Sequence, residues 1–412
     1  MNPLADTLKS RRQKLSKLVD FPVVLRSGSR KSRNFPANTY PFRASSHFLY
    51  FAGLSLEDAI VQIDGDRLTL FLDDPKPSNT LWHGASPTRD QIAEQMGADA
   101  AYPLSETVSG VEIDNIGLQK AIIELRLVHD ESAIAEIRKA IAVTVQAHQT
   151  GMQATFTATT EAQIRAAMES VILSHNMTCA YNSIVTVQGE VLHNEQYHHT
   201  VQPSDLVLAD VGAETQSGWA SDITRTWSAR GRFSSTQKAI YDVVLEAHDQ
   251  AIAKICPEIE YRDIHLLACA VLAEGLVDLG ILRGNPAGLV DQDAHALFFP
   301  HGIGHLLGLD VHDMEDLGDL AGYAEGRSRS PRFGLGYLRL DRPLKAGMIV
   351  TIEPGFYQVP AILNDPERRE KYQGLVNWER LAEFSDVRGI RIEDDVLITP
   401  EASEVLSAAL PN

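Results

Sequence analysis

The sequence predicts a mixed α/β chain in two parts: a small α/β domain over residues 1–127, and a larger domain over residues 128–412 in which helices lead into antiparallel strands. Three observations point there. The chain has 412 residues, more than one hydrophobic core usually serves, and 44% of them are apolar. Its first third alternates short strand-like and helix-like pieces. Further on, strand-forming runs repeatedly end in a carboxylate, which a sheet packed on a core normally avoids.

The opening MNPLADTLKSRRQKLSKLVDF reads as an amphipathic surface helix. It lacks the apolar stretch of a signal peptide, and Asp6 and Asp20 argue against a transit peptide. No apolar run is long enough to span a bilayer. Cys179, Cys256 and Cys269 are odd in number and sit in apolar surroundings, as expected of reduced thiols, so a cytoplasmic protein without a membrane partner is expected. Asp and Glu number 55 against 37 Lys and Arg, a formal charge of −18 that argues against nucleic acid.

From Val23 the pieces FPVVLRSG, SHFLYFAGL, AIVQI, LTLFLD and RDQIAEQMGA make up the small α/β domain. HDESAIAEIRKAIAVTVQAHQTGM then has apolar residues at helical spacing with acids early, so a long helix opens the second domain near Val128. There follow a helix at EAQIRAAMESVILSH, strands at SIVTV and DLVLADVGAE, and a hairpin return at ASDITRTW. Two more helices (STQKAIYDVVLEAHDQAIAKI, IHLLACAVLAEGLVDLG) precede strands at GMIVTIEPGFY and GIRIEDDVLITP. Met314 to Lys345 is rich in Gly and Arg and reads as a long loop over the site.

Asp210 ends LVLAD, Asp222 opens DITRTW, Glu353 follows MIVTI and Glu393 follows GIRI. A metal ion is the simplest agent that makes several such acids tolerable together. HGIGHLLGLDVHD adds His301, His305 and His312. A zinc-protease helix would need Glu after the first His, where Gly302 stands, so the glycines indicate a loop or strand with close backbone approach.

With YNSIV and VLHNE, these stretches make the chain from His129 onward resemble the pita-bread metallopeptidases. That family contains aminopeptidase P, prolidase and methionine aminopeptidase, and the resemblance is to its proline-directed branch. It implies a creatinase-like first domain and a pita-bread catalytic domain with a pseudo-twofold antiparallel sheet. It implies that Asp210, Asp222, His305, Glu353 and Glu393 ligate two divalent metal ions, with Asp222 and Glu393 bridging. The segment from Asp210 to Asp222 departs from the pattern by one residue more than in some relatives. An oxygen-rich donor set favours Mn2+, with Co2+ or Zn2+ able to substitute.

The resemblance further implies that Glu353 shuttles the proton of the attacking water to the leaving proline nitrogen and that His312 hydrogen-bonds the carbonyl oxygen. His301 then lines the proline side, His193 faces the substrate, and Arg391 and Tyr357 orient the ligands. Substrates are peptides with proline second, and a homodimer or homotetramer is expected. PANTYPFRASSHFLYFAGL resembles the strand region of the aminopeptidase P first domain, and Trp82 an aromatic that closes the site in oligomeric relatives. That domain favours an aminopeptidase; the long loop, with Arg339 placed to bind a substrate carboxylate, keeps a dipeptidase as the alternative. A domain that has lost catalysis and only binds peptides is disfavoured by the complete ligand set.

Overall fold

The computed structural model describes residues 3–412. The chain divides into two compact units, residues 1–132 with 216–218, and residues 133–215 with 219–412.

In the first unit, β1 (Val23–Arg26), β2 (Ile60–Asp64) and β3 (Arg67–Phe71) are antiparallel, and β4 (Ala100–Tyr102) joins β3 in parallel. Val61 and Ile63 alternate inward on β2, as a sheet covered on one face requires. SHFLYFA, expected within a strand region, is a helix, Ser46–Ala52, buried throughout and closed by Gly53 at φ 69°. A short run that is apolar on every side has no period, so its spacing does not separate a buried helix from a buried strand. The opening helix, Pro3–Leu15, is docked rather than superficial. Leu8, Leu15, Arg11 and Arg12 are buried, Arg11 forks onto Asp130 at 2.8 and 3.1 Å, and Arg12 reaches the Gly97 carbonyl at 3.0 Å.

The second unit is built on two antiparallel halves. One has the order β7 (Ile223–Ser228), β6 (Leu206–Val211), β5 (Ile184–Thr186). The other joins β8 (Ile349–Ile352), β11 (Asp394–Ile398) and β12 (Ser403–Val405), beside the pair β9 (Gly355–Tyr357) and β10 (Gly389–Arg391). A bridge between Thr224 and Glu393, with the Glu393 amide donating to the Thr224 carbonyl at 3.0 Å, ties the halves together.

The faces of β6 explain where its acid points. Val207, Ala209 and Val211 pack on Val143, Ala147, Ile164 and Met168 of the helices Glu131–Thr155 and Glu161–Ser174. Alternation therefore turns Asp210 to the opposite face. Thr224 lies directly across from Asp210, and Asp222, two residues earlier, shares that face. Arg225 points the other way and is buried, with Nη2 on Asp394 Oδ1 at 2.8 Å and Nη1 on the Glu393 carbonyl at 2.7 Å.

The histidine segment is extended backbone alongside β8, as its glycines indicate. The Thr351 amide donates to the His305 carbonyl at 3.0 Å, and the Glu353 amide to the Ile303 carbonyl at 2.8 Å. Gly304, at φ 156°, makes this approach feasible: a Cβ there would fall 2.2 Å from the Thr351 carbonyl oxygen. The stretch after Met314 is a loop with short turns, Glu315–Leu317 and Asp319–Gly322, closed by a bridge between Tyr323 and Asp341.

Replacing Arg225 by Met leaves Asp394 buried without its guanidinium, with only His248 Nε2 at 3.1 Å and the Ser407 hydroxyl beside it. The urea midpoint is expected to fall by the equivalent of about 3–5 kcal/mol, whereas an exposed pair such as Arg138–Glu404, broken by Arg138→Ala, is expected to cost about 1 kcal/mol or less.

Candidate metal centre and active site

Five side chains from four distant segments meet at the floor of a cavity of ≈ 530 Å³. Asp210 comes from β6, Asp222 from just before β7, His305 from the extended histidine segment, Glu353 from just after β8, and Glu393 from the link between β10 and β11. Their oxygens and nitrogens fall into overlapping sets that could each hold a cation: Asp210, Asp222 and Glu393; His305, Glu353 and Glu393; and Asp222, His305 and His312. Asp222 and Glu393 each belong to a set with Asp210 and to a set with His305.

The imidazole is oriented by its backbone. His305 Nδ1 donates to the Leu306 carbonyl at 3.0 Å, so the lone pair is on Nε2, which lies 3.4 Å from Asp222 Oδ2 and 3.7 Å from Glu353 Oε1. Arg391, buried, spans the acids' edge: Nη2 donates to Asp210 Oδ2 at 2.6 Å, Nε to Thr224 Oγ1 at 3.0 Å and Nη1 to the Tyr357 hydroxyl at 3.1 Å. Thr224 Oγ1 in turn donates to Glu393 Oε2 at 2.6 Å.

Electrostatics separates the acids. Burial works most strongly against the charge of Asp210, but the Arg391 guanidinium and the hydrogen bonds from Tyr181 and Arg391 together outweigh it and hold that carboxyl below its ordinary range. Asp222 is pushed well above its range by burial and then by Asp210, and Glu393 by burial and then by Asp222. Glu353 is pushed up to about 7, by burial against the opposing pull of His305. One buried guanidinium does not neutralise two buried and two half-buried carboxylates. Four carboxylates and one imidazole with an aligned lone pair make a donor set that fits hard to borderline divalent cations.

Around this floor, His193, His301, His312 and Arg339 also line the cavity, with Leu192, Pro300 and Ile362 supplying apolar surface. His301 spends both nitrogens: Nδ1 donates to the Gly302 carbonyl at 2.8 Å, and Nε2 accepts from the Tyr357 hydroxyl at 2.9 Å. It therefore presents a neutral ring, which burial pushes down to about 3, rather than a free donor. Tyr357 is fully buried and carries the chain Arg391–Tyr357–His301. Trp82 lies on the helix Pro77–His83 of the first unit, is 78% exposed, and is not among the residues lining the cavity.

Three further residues come to the site without a sequence signal of their own. The Tyr181 hydroxyl, from YNSIV, lies between Asp210 Oδ1 and Asp222 Oδ1. Glu315 accepts from His312 Nδ1 at 2.5 Å and also pairs with Arg339, so the loop arginine is engaged within the protein. Arg368 lines the cavity over the Phe333 ring. Only the spacing of three from His312 to Glu315 would have suggested a local pair.

Residues 135–400 match the model of metallopeptidase family M24, and residues 8–113 that of the aminopeptidase P N-terminal domain. A probable Xaa-Pro aminopeptidase of Verticillium alfalfae is 33% identical over 403 residues, 90% of this chain and 86% of the relative. One of Talaromyces stipitatus is 32% identical over 413 residues, with the same coverage. Among solved structures, Escherichia coli aminopeptidase P with the inhibitor Pro-Leu superposes at a TM-score of 0.81 with 26% identity, covering 99% of this chain and 96% of that one. The Pseudomonas aeruginosa aminopeptidase PepP does so at 0.79 with 27% identity and the same coverage. With both of its domains matched and relatives at 32–33% identity covering 90% of it, the chain belongs to metallopeptidase family M24, in the aminopeptidase P branch.

Proposed function

We propose that the protein is an Xaa-Pro aminopeptidase, a metallo-exopeptidase that releases the first residue of peptides with proline second. The observation that carries this reading is the convergence of Asp210, Asp222, His305, Glu353 and Glu393 at the floor of a peptide-sized cavity. These five would hold two divalent cations, and the oxygen-rich set favours manganese over cobalt or zinc. Bound there, the cations supply Lewis acidity, polarising the scissile carbonyl and making a water nucleophilic near neutral pH.

The chain's own groups do the rest. Glu353, with a carboxyl poised near neutrality, takes the proton of the attacking water and returns it to the proline nitrogen as the peptide bond breaks. His312 Nδ1–H donates a hydrogen bond to Glu315, so its Nε2 donates to the carbonyl oxygen only as an imidazolium. Burial lowers its pKa to about 4; negative charge growing on that oxygen, with Glu315 behind the ring, opposes this as the reaction proceeds. His301 offers a ring face to the pyrrolidine, His193 faces the peptide, and Arg391 with Tyr357 holds Asp210 and His301 in place. The catalytic domain is residues 128–412 and the amino-terminal domain residues 1–127; a cytoplasmic homodimer or homotetramer in which Trp82 closes a neighbouring site completes the proposal.

Arg339 lines the cavity and so supports a second reading, a dipeptidase that grips the substrate carboxylate. Its pairing with Glu315 weighs against that, because a dipeptide would have to displace an existing ion pair. Xaa-Pro-Pro is expected to turn over faster than Xaa-Pro, and activity confined to the dipeptide would reverse the choice. Arg339→Ala is expected to spare the tripeptide.

Glu353→Gln is expected to lower kcat by about 10²–10⁴-fold while the protein stays folded by circular dichroism. Asp222→Asn and Glu393→Gln are expected to lose bound metal by elemental analysis together with activity; retention of both would sink the reading. Glu315→Gln is expected to reduce activity by about 10–100-fold, in kcat rather than KM.

Stability of the metal-free protein should run against the usual direction for carboxylates. Asp222, Glu353 and Glu393 have raised folded pKa values, so the native state binds more protons than the unfolded chain between the unfolded and folded values, and stability falls as pH rises through that window. The acids' share is isolated by comparison with Glu393→Gln, which keeps the same buried histidines: from about pH 8 to about pH 6 the Tm of the stripped protein is expected to rise relative to that of the stripped variant, and that of the metal-loaded protein to fall as protons displace metal.

A further inference from the structure

Behind the catalytic cavity a second group of ligating side chains is shut away from solvent. His265 and Cys269 stand one turn apart on the helix Tyr261–Asp278, His295 stands on the turn His295–Leu297, and all three are buried. One ligating atom from each lies within 4.8 Å of the others. Two observations set this group apart from an ordinary core.

The first is His295: it is 2% exposed, yet neither ring nitrogen makes a hydrogen bond of good geometry, and the Leu289 backbone acts on the ring only weakly. A buried polar group left unpaired costs about 1–3 kcal/mol, and native structures seldom leave both nitrogens of one ring so. The second is His265, whose Nε2 donates to the Gly334 carbonyl at 2.9 Å, the way a metal-bound imidazole is commonly steadied through its other nitrogen. Cys269 Sγ lies against that ring, 3.9 Å from Nδ1 and 3.5 Å from Nε2. Zinc bonds of about 2.0 Å to nitrogen and about 2.3 Å to sulfur set two ligands about 3.6–3.8 Å apart.

We propose that His265, Cys269 and His295 form a third, structural metal site that takes one thiophilic divalent cation of the zinc type. Thiolate and imidazole are the donors such an ion selects, unlike the oxygen-rich catalytic centre. On binding, the Cys269 S–H bond breaks, its proton leaves to solvent, and the sulfur electron pair bonds the cation; no electron is transferred. Burial keeps both imidazoles in the neutral, ligating form, pushing His265 down to about 4 and His295 to about 3, and drives the Cys269 thiol far up, so metal entry must release one proton. Asp293, paired with Arg332 at 2.9 Å, and that arginine act on Cys269 and His295 in opposite senses.

The consequence falls on the cavity wall. A Cβ on Gly334 would come within 2.8 Å of the His295 ring and of Asp293 Oδ1, so this loop lies directly on the cluster. Phe333 and Tyr337 of the same loop line the catalytic cavity. The cation therefore pins that wall from behind.

The site has sulfur and the catalytic centre has none, which makes a test independent of the catalytic reading. Because the cluster is closed to solvent, the full chain is produced in cobalt-supplemented medium and its near-ultraviolet spectrum recorded. The expected result is a thiolate-to-cobalt charge-transfer band that persists in Cys179→Ser and Cys256→Ser and disappears in Cys269→Ser, with one metal equivalent lost in that variant alone. A spectrum of the unsubstituted protein without such a band overturns the proposal, even if Cys269→Ser fails to fold, and so does a band that survives in Cys269→Ser. If Cys269→Ser is unfolded, the band's persistence in the other two variants assigns it to Cys269 by elimination.

Discussion

The second unit is organised around the repulsion of four carboxylates, two buried and two half-buried. Taken singly, each would cost several kcal/mol to bury in charged form, and together each makes the next harder to ionise. That is why burial and neighbouring charge push Asp222 and Glu393 well above the carboxylate range while Asp210, beside Arg391, is held below it. A cluster so arranged is costly without cations and becomes favourable with them, so the binding energy of the metal acts as folding energy for the floor of the cavity.

Much of the surrounding structure serves to hold that repulsion in place. Arg391 alone touches Asp210, Thr224 and Tyr357, and through Tyr357 it fixes the tautomer and tilt of His301. On the reverse side of β7, Arg225 binds Asp394 and the Glu393 carbonyl, so the backbone carrying one acid is anchored to the strand beside another. The two arginines point to opposite faces of the sheet junction. One attends to the acids' charge, and the other to their position.

The loop after Met314 couples the site to the rest of the unit. His312, Glu315 and Arg339 form one chain of hydrogen bonds, so the His312 ring in the cavity wall is steadied by a residue three positions on and by an arginine from the loop's far end. The same loop rests through Gly334 on the His265, Cys269 and His295 cluster. A metal there and the metals at the catalytic floor would brace opposite sides of one cavity wall, by different ligand chemistry.

The sequence by itself determined the fold class, the strands that end in acids and the identity of the histidine segment. These are local: apolar strand-forming runs such as LVLAD that end in an acid, helical spacing in the segment from His129, and glycines where Gly304 must lie against Thr351. It set SHFLYFA within a strand region where the chain forms a helix, because the apolar stretch FLYFA has no period to read. Only the tertiary structure decided which acids share a face, since Asp210 and Asp222 meet through the register of β6 against β7, and Glu393 joins them through a bridge to Thr224. Glu315 stands three residues from His312, a local spacing, but Tyr181 and the engagement of Arg339 belong to that second class: each depends on contacts whose sequence separation carries no pattern, and distance in space is what electrostatics and hydrogen bonding act on.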